Sequence, residues 1–178
     1  MHLQLDGRGP LHAVPALSRP RSQAWPAWAW IVFGGLSLGL GDLAFAALYW
    51  FLHNGLAPIR VPQSIAGWVL GSEAARAGGL ATAIAGAALY CYLVGAMVAG
   101  YLRLHARSMR VRRTGLAGGA VYGLAMYALL FKVVLPLFAA NGSGAAMPWH
   151  WTLACLAAYA GIGAGCAAIA AARARATR

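Results

Sequence analysis

Residues 28–52 read WAWIVFGGLSLGLGDLAFAALYWFL, twenty-five consecutive positions in which Asp42 is the one charged side chain. At ~1.5 Å of rise per residue, a helix of this length crosses a hydrocarbon core of roughly 30 Å with slack for tilt. A single segment satisfies all its backbone N–H and C=O groups in lipid only as a helix. The run therefore predicts a transmembrane helix, with Asp42 near its middle. A carboxyl at that depth is costly, and such groups turn toward a protein interior or a water-filled cavity. Asp42 shares a helical face with Gly35, Gly39, Ala46 and Tyr49, so the acid lies on the small-residue side where other helices can approach.

Working outward, Trp25, Trp28 and Trp30 stand where an interfacial aromatic belt belongs. Three further apolar runs, 80–104, 116–138 and 149–171, are also long enough to span. The chain has 178 residues, 61% of them hydrophobic and 10% charged, with a mean hydropathy of +0.66. A soluble domain carries about 25% charged residues, and here the charges are confined to short segments between the runs. The expected fold is all-α: an integral membrane four-helix bundle over residues 25–172, a disordered basic tail at 1–24 and a second basic tail at 173–178. A cleaved signal peptide ending at Ala44-Phe45-Ala46 is disfavoured, because the apolar run is too long and contains Asp42.

The segment between the first two spanning runs is the least regular. Pro58 and Pro62 are expected to interrupt any helix there. Residues 64–79, SIAGWVLGSEAARAGG, are too short to span and predict an interfacial or re-entrant helix. Within it Glu73 and Arg76 are spaced i, i+3, so they can pair on one helical face. Arg60, Glu73 and Arg76 form a candidate polar site at this end.

The net charge is +11. No basic stretch is interleaved with stacking aromatics, which argues against nucleic acid as a partner. The charge instead reports topology. Arg8, Arg19 and Arg21, then Arg103, Arg107, Arg110, Arg112 and Arg113, then Arg173, Arg175 and Arg178 fall in three segments that four crossings place on one side. Only Arg60 and Arg76 fall on the other. The positive-inside rule then makes both termini cytoplasmic. The expected partners are the lipid bilayer itself and anionic headgroups at its cytoplasmic face.

Small residues four apart mark the helix-packing faces: Gly35 and Gly39; Gly78, Thr82 and Gly86; Gly115, Gly119 and Gly123; Gly161 and Gly165. Such stripes let backbones approach closely in lipid, where no hydrophobic drive assembles helices. They predict a compact bundle and leave open a homo-oligomer or a place in a larger membrane complex.

Lys132, the one lysine of the chain, lies inside the third apolar run. Asp42 is 14 residues into its helix from the cytoplasmic end and Lys132 is 16 into its own. The similar depth predicts an intramembrane Asp42–Lys132 pair. Pro136 cannot donate to the carbonyl of Lys132, which weakens the helix there. The pair reads equally as a structural lock between helices or as a polar or proton-relay site.

Catalytic chemistry finds no support. Ser37, Ser64 and Ser72 lack a G-x-S-x-G context, and there is no Walker or H-E-x-x-H motif. Cys91, Cys155 and Cys166 lack C-x-x-C spacing and read as small buried residues, with no metal site expected. His53 and His150 stand at corresponding helix ends, and a haem or metal would require them to converge. The expectation is no cofactor and a non-catalytic protein, structural or an accessory membrane subunit. The alternative is a small transporter or channel using Asp42 and Lys132.

Three stretches, GLGDLAFAALYW (39–50 with neighbours), APIRVPQSIAGWVLGSEAARAGGLATAIAGAAL and YGLAMYALLFKVVLPLFA, together resemble a family of small bacterial inner-membrane proteins of unknown function. The resemblance covers residues 39–139, and its most specific part is Arg60-Val-Pro-Gln-Ser-Ile-Ala with the later Gly78-Gly79. The family pattern has a histidine where this chain has Tyr90. The resemblance implies four helices in a bacterial inner membrane and no particular activity.

Overall fold

A computed structural model describes residues 25–138 and 148–177. The tail at 1–24, most of the turn at 139–148, and Arg178 lie outside the described residues. Four helices are long and apolar enough to cross a membrane: Ala27–Asn54, Gly79–Arg107, Met109–Leu137 and Trp149–Ala176. No strand occurs among the described residues.

In chain order, α1 runs Ala27–Asn54 and ends on Gly55 in the left-handed conformation. Two short helices follow, α2 (Arg60–Leu70) and α3 (Ser72–Ala77). Pro62 does not break α2. It is the third residue of the helix, where a missing N–H removes no intrahelical bond. The short segment is thus two helices parted at Gly71, whose φ of 83° and ψ of 154° suit glycine alone. α4 (Gly79–Arg107) packs on both α1 and α2.

Helix α5 (Met109–Leu129) contains Gly115 at φ 55° and ψ −136°, a hinge between its basic first turn and the spanning part. A π-helical turn, Leu130–Val134, follows, and then α6 (Leu135–Phe138). The turn sits where Pro136 withholds an N–H from the Lys132 carbonyl, and a widened turn is the common response to a broken ladder. α7 (Trp149–Ala176) closes the bundle.

The bundle is two tight pairs, α1 with α4 and α5 with α7, joined where α7 also meets α4 and α1. Glycine decides both close pairs. A Cβ on Gly35 would lie 2.9 Å from the Cys91 carbonyl, and one on Gly39 would lie 3.1 Å from the Cys91 Cα. On the other pair, Gly119 and Gly123 meet the backbone of Tyr159 and Gly163. Gly86 faces the Pro62 carbonyl and seats α2 on α4, while Gly165 faces the Leu38 side chain of α1. Two expected contacts are corrected. Gly161 is exposed with open space around it, and Gly163 takes its place against α5. Gly115 serves the hinge and touches no neighbour. Where the pairs join, Val94, Val98, Tyr101 and Cys166 are almost wholly buried.

Candidate functional site

A cavity of about 610 Å³ opens at the α2–α3 end of the bundle and descends between α1, α2, α4 and α7 to Asp42. Asn54 and Asp42 both line it. They are twelve positions apart on α1, so the cleft runs ~18 Å along that helix, about half its length. Its walls are largely aromatic: Trp50, Trp68, Trp151, Phe45 and Phe131. Polar groups concentrate at its two ends. Asp42, Tyr90 and Tyr159 lie at the floor, while Arg60, Asn54 and Ser64 lie at the mouth.

The floor is built from three helices. The Tyr90 hydroxyl of α4 donates to Oδ2 of Asp42 on α1. Tyr159 of α7, itself buried, lies within electrostatic reach of both. Asp42 is half-buried, as its place on the small-residue face requires. Tyr90 is eleven residues into α4 from Gly79, and Asp42 is twelve residues from the end of α1. The two therefore reach the same depth on antiparallel neighbours.

The expected Asp42–Lys132 pair is not formed. Lys132 is exposed and makes no ion pair among the described residues. The cause is azimuth rather than depth. Phe131 and Leu135 line the cleft, and Lys132, the next residue along the widened turn after Phe131, projects away from it. α1 also packs on α4 and α7, so α5 sits across the bundle from it.

At the mouth, Arg60 donates from Nη1 to Oε1 of Gln63 at 3.3 Å, and Gln63 donates from Nε2 to the Gly79 carbonyl at 2.9 Å. Gln63 is only 3% exposed, the one buried polar side chain among the described residues. It ties α2 to the start of α4 at Gly79, whose φ of 56° turns the chain between α3 and α4. Glu73 and Arg76 are both exposed, and the i, i+3 ion pair between them is not made. α3 is six residues long and too short to hold two flexible side chains in register.

His53 and His150 do approach. Their rings stack at 5.4 Å with planes 19° apart, and His53 also stacks on Tyr49 at 4.4 Å. The Tyr49 hydroxyl is hydrogen-bonded to Nδ1 of His150. Parallel rings aim their nitrogens sideways rather than at a shared centre. Among the described residues no cluster of three His, Cys, Asp or Glu side chains could hold a metal.

Fold and cleft together define a multi-pass membrane protein with an aromatic cavity ending on an intramembrane carboxyl. No known protein family, curated protein or solved structure matches the chain.

Proposed function

We propose that this is a small, non-catalytic inner-membrane protein that binds an amphipathic molecule in the cleft above Asp42. The observation that carries the reading is the cleft itself. Its volume of about 610 Å³ falls in the range of small-molecule sites, ~300–1,000 Å³. Its walls suit hydrocarbon, and its polar groups are gathered at either end. Of the lining hydroxyls, Ser64 donates to the Val61 carbonyl at 2.7 Å and Tyr90 donates to Asp42. The arginine distribution supports cytoplasmic termini, so the mouth faces the opposite side of a bacterial inner membrane.

One observation favours a carrier over a static receptor. Asp42, Phe45 and Ala158 also line a second, shallower groove with Ser37, Leu38 and Ile162. The carboxyl therefore stands where two clefts of the bundle meet. Lys132 has no part in this reading, because it lines neither cleft.

The test is titration of the detergent-solubilised chain with lysophosphatidylcholine, read by native mass spectrometry, together with flip of a labelled lysolipid in proteoliposomes. A saturable one-to-one adduct is expected, and Ala158→Phe, which places a ring in the cleft, should weaken it at unchanged thermal stability. Equal adducts in the wild type and Ala158→Phe would sink the reading. Wild-type flip that Asp42→Asn abolishes would select the carrier.

A further inference from the structure

We infer that the amphipathic molecule is an anionic phospholipid, its phosphate held between Arg60 and Arg76 and one acyl chain lying in the cleft. This rests on the cleft being an amphiphile site, and it adds the charge and kind of head group. A second pocket of about 380 Å³ adjoins the mouth. Leu56, Arg60, Gln63, Ser64, Ser72 and Arg76 line it. Leu56, Arg60 and Ser64 belong to both cavities, so the basic pocket and the apolar cleft share a wall.

The pocket is positively charged, and its charge is not spent among the described residues. It holds two guanidinium groups and no carboxylate. Among the described residues, the one side-chain hydrogen bond of Arg60 goes to neutral Gln63, at a long 3.3 Å. The Arg76 side chain makes no hydrogen bond or ion pair among the described residues, and Glu73, the nearest acid in sequence, pairs with neither arginine. Guanidinium groups present donors in a planar fork that matches phosphate oxygens, and such bonds are charge-assisted on both sides.

Topology strengthens the argument. Basic residues are disfavoured on the side facing away from the cytoplasm, and these two are the only ones the chain places there under the positive-inside reading. They lie sixteen positions apart in sequence, yet both line one small pocket. Basic pockets between membrane helices lodge anionic head groups on the cytoplasmic side of other membrane proteins, and the same charge pairing holds on either side. Here the pocket shares Leu56, Arg60 and Ser64 with a cavity whose walls suit a hydrocarbon chain.

The test uses the full chain in detergent and three probes: phosphatidylglycerol, phosphatidylcholine with the same acyl chains, and glycerol phosphate. Native mass spectrometry reads occupancy. Phosphatidylglycerol should bind roughly tenfold more tightly than phosphatidylcholine, whose phosphate carries a cationic choline that the two guanidinium groups repel. The double variant Arg60→Gln/Arg76→Gln should bring phosphatidylglycerol down to the phosphatidylcholine level. Its retained phosphatidylcholine binding would show that it is folded. Glycerol phosphate at millimolar concentration should displace neither lipid. Equal binding of both lipids to the wild type would overturn the anionic head group while leaving the cleft reading intact. A preference for phosphatidylglycerol that survives in the double variant would overturn the role of the two arginines. Displacement by glycerol phosphate would mark a site for a small organic phosphate instead. Absence of any lipid adduct would remove the cleft reading and this inference together.

Discussion

Among the described residues, the Asp42 carboxyl receives a single hydrogen bond, from Tyr90, and that bond bridges α1 and α4 halfway along α1. Interhelical hydrogen bonds in membranes contribute on average ~0.6 kcal/mol and at most ~1.7 kcal/mol. Unfolding in mixed micelles should therefore show a coupling of ~0.5–1.5 kcal/mol between Asp42→Ala and Tyr90→Phe. The same cycle with Lys132→Ala should add within ~0.5 kcal/mol, because the two side chains share no partner. A large coupling between Asp42 and Lys132 with none to Tyr90 would contradict this arrangement. The carboxyl could be singled out from sequence, since lipid makes one charge in twenty-five apolar residues conspicuous. Its partner could not. Depth counting admits Tyr90 and Lys132 alike, and only the packing of α1 on α4 separates them.

The helices owe their contacts to positions where a methyl group has no room. At Gly123 an added Cβ would meet the Tyr159 carbonyl, which is backbone and cannot swing aside. Gly123→Ala should destabilise the bundle by ~1–3 kcal/mol, the usual cost of overpacking. Gly161→Ala lies two residues from the true contact at Gly163, meets open space, and should be neutral or slightly stabilising in the same unfolding experiment. Equal effects at the two sites would mean that α5 and α7 do not pack as described. This pair also shows what the pattern of residues can convey. The spanning stretches stand out because length and hydropathy alone define them, and the π-helical turn at Leu130–Val134 follows from Pro136. The facing of α7 is another matter. Gly161, Gly163 and Gly165 cover several azimuths of a helix that is apolar all round, so periodicity selects no side. In water the polar face would have made the choice. Gln63 is hidden for another reason: it is a polar residue on the buried side of α2, where it donates to the Gly79 carbonyl of a distant turn.

For the molecule as a whole, sidedness decides which leaflet the cleft serves. Four crossings put the loop around Met109 and the α2–α3 end on opposite faces of the bundle, and our proposal, from the arginine count, is that the first is cytoplasmic. Two variants that each add one cysteine read this directly, one at Ala74→Cys in α3 and one at Met109→Cys, both exposed positions. The native Cys91, Cys155 and Cys166 are buried and should stay silent to a membrane-impermeant maleimide. Cys at 74 should label in intact cells with the outer membrane permeabilised, and Cys at 109 only after the inner membrane is broken. The inverted result would turn the mouth, Arg60 and Arg76 toward the cytoplasm. The arginines would then follow the local charge rule instead of breaking it, and their convergence on one pocket would lose its topological support. The aromatic cleft above Asp42 would keep its shape and its amphipathic walls, but it would draw its ligand from the cytoplasmic leaflet.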